Sequence, residues 1–140
     1  MPEPTRRGPH AEGSTPPGFE LLVSSPFVAQ VGPIHINDEG VLGVHVRDEH
    51  RNVMGTVHGG FLMTLADVAA GRMARRAIGE GAVVQTVSAT VDFLSTAAVG
   101  SWLEIEATVD RAGRRAVFTS CRVTSGDKTI ARASVVLLRS

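Results

Sequence analysis

NVMGTVHGGFLMTLADVAAG, the segment from Asn52 to Gly71, carries the strongest structural signal in this chain. A histidine and two glycines lead into an apolar run in which Asp67 is the only ionisable side chain. Backbone N–H groups in the first turn of a helix lack an intrahelical acceptor, and the helix dipole attracts negative charge to them. A carboxylate in apolar surroundings is costly unless it is paired or used. The segment therefore predicts an oxygen-binding helix start followed, two turns later, by a reactive carboxylate.

The pattern around this segment predicts one long helix over residues 60–78, ended by Gly79 or Gly81. Its apolar side chains cover a broad arc, so the helix must be enclosed, and a sheet that curls around it would do this. The residues of that arc are Phe61, Leu62, Leu65, Val68, Ala69 and Met73, extended by Ala66, Ala70 and Ala77.

The remaining segments predict strands. Residues 31–36 and 41–47 flank a turn-rich tetrapeptide at 37–40, which is typical of a hairpin. After the helix, alternating or turn-bounded segments at 83–94, 102–109, 115–124 and 128–138 predict a four-stranded meander. Strands grouped around one helix favour an α+β fold with an antiparallel sheet of about six strands. Because one helix cannot cover both faces of such a sheet, we expect self-association.

Composition limits the class of protein. The 140 residues suit a single domain, and 14 basic residues balance 14 acidic ones, which argues against a nucleic-acid partner. No apolar run approaches the roughly 20 residues of a membrane span, so no membrane partner is expected. Residues 1–18, rich in proline and glycine, predict a disordered leader and leave 19–140 as the domain. A lone cysteine and no apparent signal peptide predict a cytoplasmic location.

Asp67 allows two interpretations at this point. It can be a general base or nucleophile aimed into a cleft. Alternatively, Thr64 and Asp67 can form a capping pair, which would start the helix three residues late. The residue pattern leaves both open.

The other reactive residue types give weaker signals. His58 can be a loop residue bonded to backbone or a catalytic group, and the remaining histidines lack metal-ligand spacing, so no metal site is predicted. Cys121 alternates in phase with Val117, Thr119 and Val123, which favours core packing. Three arginines at a predicted hairpin tip, Arg111, Arg114 and Arg115, become functional only if the ligand carries phosphates.

Together these residues carry a resemblance. Asn52-x-x-Gly55-Thr-x-His58-Gly59-Gly60, then Leu65-Ala-Asp67 and Val91-Asp-Phe93-Leu-Ser95, resembles the signature of hotdog-fold acyl-CoA thioesterases. The branch it is most similar to is the phenylacetate-pathway type, within the 4-hydroxybenzoyl-CoA thioesterase superfamily. The similarity spans about residues 19–140.

The resemblance implies an architecture and an assembly. A curved sheet would wrap around the helix, homodimers would share a continuous sheet, and homotetramers are expected. The active sites would lie at the seam between protomers.

The resemblance also implies roles for individual residues. Asp67 would be the catalytic carboxylate, as base or nucleophile, and Gly60 would donate its N–H to the thioester carbonyl. His58 would orient that carbonyl, Asn52 would help to place water or substrate, and Thr86 stands where some relatives have a serine that assists the water. Gly71 departs from relatives that carry a hydroxyl or acidic residue there.

The resulting hypothesis is an acyl-CoA thioesterase that needs no cofactor, since coenzyme A is part of its substrate. Gly59, Phe61 and Thr64 are predicted to contact the substrate, and Arg111, Arg114 and Arg115, or Arg72 and Arg75, its phosphates. A non-catalytic hotdog module that binds acyl-CoA and a 3-hydroxyacyl-thioester dehydratase are the alternatives.

Overall fold

Seven antiparallel strands and one long helix make up the computed structural model, which describes residues 14–79 and 81–140. The elements are β1 (Glu20–Leu21), α1 (Pro26–Val31), β2 (His35–Ile36), β3 (Leu42–His45), a 3-10 turn (Asp48–His50), α2 (Gly59–Ile78), β4 (Val84–Phe93), β5 (Trp102–Ala112), β6 (Ala116–Ser125) and β7 (Lys128–Arg139). This confirms the predicted α+β hotdog class. The additional strand is β1, whose two residues are too few to produce a sequence pattern.

Helix α2 packs against the inner face of the sheet. It begins at Gly59 and ends at Ile78, and the capping residue Gly79 has a φ of +121° and donates its N–H to the Arg75 carbonyl. The positive φ explains a glycine at this end. Most of the predicted apolar arc is buried, although Val68 and Met73 are only partly covered and Ala77 is exposed. Leu65, completely inaccessible, lies at the centre of the core.

The strand order corrects the predicted four-stranded meander. The sheet runs β1-β2-β3-β5-β6-β7-β4, so β5, β6 and β7 form a meander but β4 pairs with β7 at the far edge. Alternation shows which face a residue occupies and cannot show which strand lies beside it. Thus β4, which follows α2 directly, forms one edge of the sheet while β1–β3 lie towards the other.

Residues 14–18, the last part of the predicted leader, are described by the structure, and two of them contact the sheet. Residues 1–13 lie outside the described residues, but Ser14 and Thr15 contact the outer face of the sheet, the face away from α2. The Ser14 carbonyl accepts from His45 Nε2 at 2.8 Å, and Thr15 Oγ1 lies 3.2 Å from His35 Nε2. No helix in the described ranges is long and apolar enough to cross a membrane.

Candidate active site

His58 caps the start of α2. Its backbone is extended, and its Nδ1 accepts a hydrogen bond from the Gly60 N–H at 2.9 Å. Because Nδ1 accepts, the neutral ring carries its proton on Nε2, and an exposed Nε2–H donor results. The alternative helix start at Thr64 is wrong, since Thr64 lies within the helix and its hydroxyl donates to the Gly60 carbonyl at 3.1 Å.

The two glycines differ in what their N–H groups do. Gly60 N–H, the predicted carbonyl donor, is engaged by His58. Gly59 N–H has no acceptor among residues 14–79 and 81–140, so it is the uncommitted donor at the helix start. A Cβ at Gly59 would lie 3.1 Å from Cζ of Phe93, so glycine lets this ring from β4 approach the helix start.

His50 supports this helix start, a role that the sequence pattern did not reveal. Its carbonyl accepts from the His58 N–H at 2.7 Å, and its ring stacks on Phe61 with centroids 3.9 Å apart. The ring accepts from the Arg47 N–H at Nδ1, so its proton is on Nε2 and bonds the Val31 carbonyl at 2.6 Å. Both ring nitrogens of this buried histidine are thus satisfied, and they fix the loop that carries His58. A histidine eight residues before His58 is the only sequence signal.

Asp67 and Thr86 are brought together, although 19 residues separate them. The Thr86 hydroxyl donates to Asp67 Oδ1 at 2.6 Å, joining α2 to the edge strand β4. Both side chains are exposed in the single chain. Within the described chain, the exposed side of Asp67 therefore lacks the apolar surroundings that the sequence predicted.

The helix start and Asp67 are far apart within one chain. Gly60 and Asp67 are separated by seven residues of α2, which is about 10 Å along the axis. A carbonyl bond is only about 1.2 Å long. A carbonyl held at the Gly60 end is thus out of reach of direct attack by the Asp67 of the same chain.

Asn52 shapes the preceding loop. Its Oδ1 accepts from the N–H groups of Met54 and Thr56 at 2.9 and 3.2 Å, and its Nδ2 donates to Thr56 Oγ1 at 3.1 Å. The amide is therefore committed to the loop, and its predicted contact with water or substrate stays a prediction. At the loop tip, Val53 is fully exposed and Met54 nearly so.

The predicted substrate-contacting residues separate into two groups. Phe61 is buried against His50, behind the helix start, whereas Gly59 and Thr64 are partly accessible. Phe93, about half exposed beside Gly59, offers an accessible apolar surface there.

The hairpin arginines lie at the end of the sheet near Thr86. Arg111, Arg114 and Arg115 are exposed around the β5–β6 turn. Arg139 donates to the Gly113 carbonyl of that turn at 2.9 Å and pairs with Val84, two residues before Thr86. The turn and the start of β4 thus lie on either side of the end of β7.

Cys121 is a core residue, as predicted. Its thiol is buried and donates weakly to the Ala66 carbonyl at 3.5 Å. Burial is the main cause that raises its pKa to about 12, and the carboxylates of Asp67 and Asp110 add to the rise. Such a thiol stays protonated and is a poor nucleophile.

Known proteins resemble this chain along most of its length. The family model of the thioesterase superfamily matches residues 54–131. The chain is 37% identical to the "Putative esterase PA0474" of Pseudomonas aeruginosa over 128 residues, covering 88% of this chain and 96% of that protein. It is 27% identical to mouse acyl-coenzyme A thioesterase 13 over 109 residues, covering 78% and 74% respectively.

Two solved structures share the fold. A Ralstonia eutropha "putative thioesterase, phenylacetic acid degradation-related protein" has a TM-score of 0.70 at 25% identity, with 83% of this chain and 92% of that chain covered. Smu.793 of Streptococcus mutans, solved bound to acetyl CoA, has a TM-score of 0.66 at 25% identity, covering 71% and 79%. The chain belongs to the thioesterase superfamily, and it is a thioester hydrolase. Within that superfamily it resembles the phenylacetate-pathway type.

Proposed function

We propose that the protein hydrolyses acyl-CoA thioesters, with Asp67 as general base and the start of α2 as the carbonyl-binding end. The observation that carries this proposal is the 2.6 Å hydrogen bond from Thr86 to Asp67 Oδ1. With Oδ1 occupied, Oδ2 is left to accept a proton from water. The acyl-CoA class is supported by the name of the mouse relative and by the acetyl CoA bound in the Streptococcus mutans structure.

The reaction would proceed in two proton transfers. Asp67 accepts a proton from water as the water oxygen bonds to the thioester carbon, and the carbonyl oxygen takes up the negative charge. His58 Nε2–H and the Gly59 N–H stabilise that charge beside the helix dipole. The C–S bond then breaks, the thiolate takes the proton from Asp67, and the products are a carboxylic acid and coenzyme A.

A second copy of the chain would complete each site. Strand β4 is a ten-residue edge strand, and such edges pair readily with another chain. Val87 and Phe93 on this strand are about half exposed, which a partner would cover. Pairing across β4 would bring the helix start of one chain towards the Asp67 of the other, and it would enclose the open side of that carboxylate.

The hairpin arginines are the better candidates for the phosphates of coenzyme A. Arg111, Arg114 and Arg115 lie at the end of the sheet where β4 begins, close in register to Thr86. Arg72 is five residues from Asp67, so it projects about 140° away around the helix. A substrate whose thioester lies against Asp67 and Thr86 therefore approaches the hairpin side more directly.

Release of free thiol tests this proposal. Purified protein and its Asp67→Asn variant would be incubated with short, medium, long and aromatic acyl-CoAs. We expect the native protein to release thiol from at least one series and the variant to lose most of that rate. If the native protein cleaves no substrate faster than the Asp67→Asn variant does, the proposal that Asp67 acts in hydrolysis is wrong. Binding without release would indicate a non-catalytic acyl-CoA module.

A further inference from the structure

A second cluster of arginines surrounds a cavity beside the carboxy-terminal half of α2. The cavity has a volume of about 520 Å³ and lies between the carboxy-terminal half of α2 and the β1–β3 region. Its lining includes Arg72, Arg75 and Arg76 together with Asn37 and Gly40. Strand β4, which carries Thr86, lies at the other edge of the sheet. The cavity is therefore separate from the proposed catalytic groups.

These arginines have no counter-ion among residues 14–79 and 81–140. None of the three forms an ion pair or a hydrogen bond with a described residue, whereas Arg51 and Arg132 do, with Asp48 and Asp92. Glu20 is the only carboxylate of the described chain that lines the cavity, and Glu39 lines the adjoining groove beside Arg76. Neither carboxylate lies within 4 Å of an arginine nitrogen in this part of the structure.

Arg72 is the least expected member of the cluster. It is partly buried, and its pKa is lowered first by that burial and then by the neighbouring positive charge of Arg75. Arg75 and Arg76 occupy the last turn of α2, where the helix dipole favours cations. That effect falls off within one turn, so it does not account for a half-buried cation at Arg72.

The hairpin opposite the helix is shaped to admit these side chains. Gly40 has a φ of +84°, and a Cβ there would lie 2.6 Å from Met73 Sδ and 3.2 Å from Arg76 Nη1. Asn37 Oδ1 fixes the turn by accepting from the N–H groups of Glu39 and Val41. Its Nδ2 has no acceptor among the described residues and adds a donor to the cavity lining.

From this arrangement we propose that the cavity binds a phosphate-bearing small molecule. Guanidinium groups recognise phosphate oxygens through paired hydrogen bonds, and Arg72 and Arg75 are one helical turn apart on one flank. An anion there would neutralise the unpaired charge, and the volume is that of a small-molecule site. The phosphate belongs either to a free phosphorylated metabolite or to a coenzyme A molecule other than the one whose thioester lies against Asp67.

Calorimetric titration of the full chain with inorganic pyrophosphate at low salt tests the site. The test variant is Arg72→Gln/Arg75→Gln, and the matched control is Arg51→Gln/Arg132→Gln, which removes the same charge from arginines that already have carboxylate partners. We expect at least a tenfold loss of affinity in the test variant and less than a twofold change in the control. Thermal melting followed by Trp102 fluorescence would verify that each variant is folded.

Arg72→Lys/Arg75→Lys, which keeps the charge but not the paired donors, should show an intermediate loss. Competition by adenosine 3′,5′-bisphosphate for the pyrophosphate site would indicate that the phosphate comes from coenzyme A, and failure of that nucleotide to displace pyrophosphate would indicate a free metabolite. The proposal is overturned if the native chain does not bind pyrophosphate or if the test and control variants lose affinity equally. Since no thioester is present, this result is independent of the proposed hydrolysis.

Discussion

Replacing Thr86 by valine tests the contact between β4 and the catalytic helix. Valine keeps the shape of threonine but removes the hydroxyl that donates to Asp67 Oδ1 at 2.6 Å. Hydrogen bonds to charged groups contribute about 1.5–3 kcal/mol, and exposure of both side chains favours the lower end. A loss of about 1.5 kcal/mol corresponds to roughly a tenfold fall in rate. We therefore expect kcat for acyl-CoA hydrolysis to fall roughly tenfold.

The accompanying measurements separate positioning from binding. KM should change little, because the hydroxyl orients the carboxylate and does not hold the acyl chain. Thr86→Ser should recover most of kcat. Thr90→Val is the matched control, since Thr90 lies on the same strand but lines the outer face of the sheet. The reasoning is refuted if Thr86→Val retains more than half of the native kcat, or if Thr90→Val loses as much.

Three further predictions follow from individual residues. Cys121, with a pKa raised to about 12 mainly by burial, should react with a disulfide reagent at pH 8 only after unfolding; rapid labelling of the native protein would contradict this. The pKa of His35 is lowered, chiefly by burial and then by His45, so the unfolded chain binds its proton more tightly. The contribution of His35 to the free energy of unfolding is therefore present above about pH 6.5 and is lost as pH falls towards the lower folded pKa. His35→Gln should narrow the difference in Tm between pH 8 and pH 5, and an unchanged difference would contradict this assignment. In ¹⁸O-labelled water, a general base at Asp67 leaves that side chain unlabelled after many turnovers, and label in the Asp67 peptide by mass spectrometry would instead indicate a nucleophile.

The sequence predicted those features that depend on neighbouring residues. The start and end of α2 followed from Gly59, Gly60 and Gly79, and the β2–β3 hairpin followed from the Asn37–Gly40 turn. Burial of Cys121 followed from alternation. Each of these signals is local, so a single segment was enough to reveal it.

Features that depend on contacts between distant segments were not predicted. The place of β4 at the far edge and the stacking of His50 on Phe61 both arise from packing between separate segments. The capping of Gly60 by His58 is local, but it depends on the orientation of the histidine ring. The resemblance implied that the Gly60 N–H binds the thioester carbonyl, and this stays a prediction; in the single chain that N–H donates to His58. Histidine and glycine identities at these positions are compatible with either arrangement, so the sequence alone could not choose.

The central claim is that each catalytic site combines the helix start of one chain with the Asp67 of another. Mixing Asp67→Asn with His58→Ala, followed by unfolding and joint refolding, tests it directly. In random two-fold dimers about half are mixed, and each mixed dimer holds one intact site of two, so thiol release should recover to about a quarter of the native rate. If both groups instead act within one chain, every site in the mixture carries a defect, and the rate will stay at the level of the two variants measured separately.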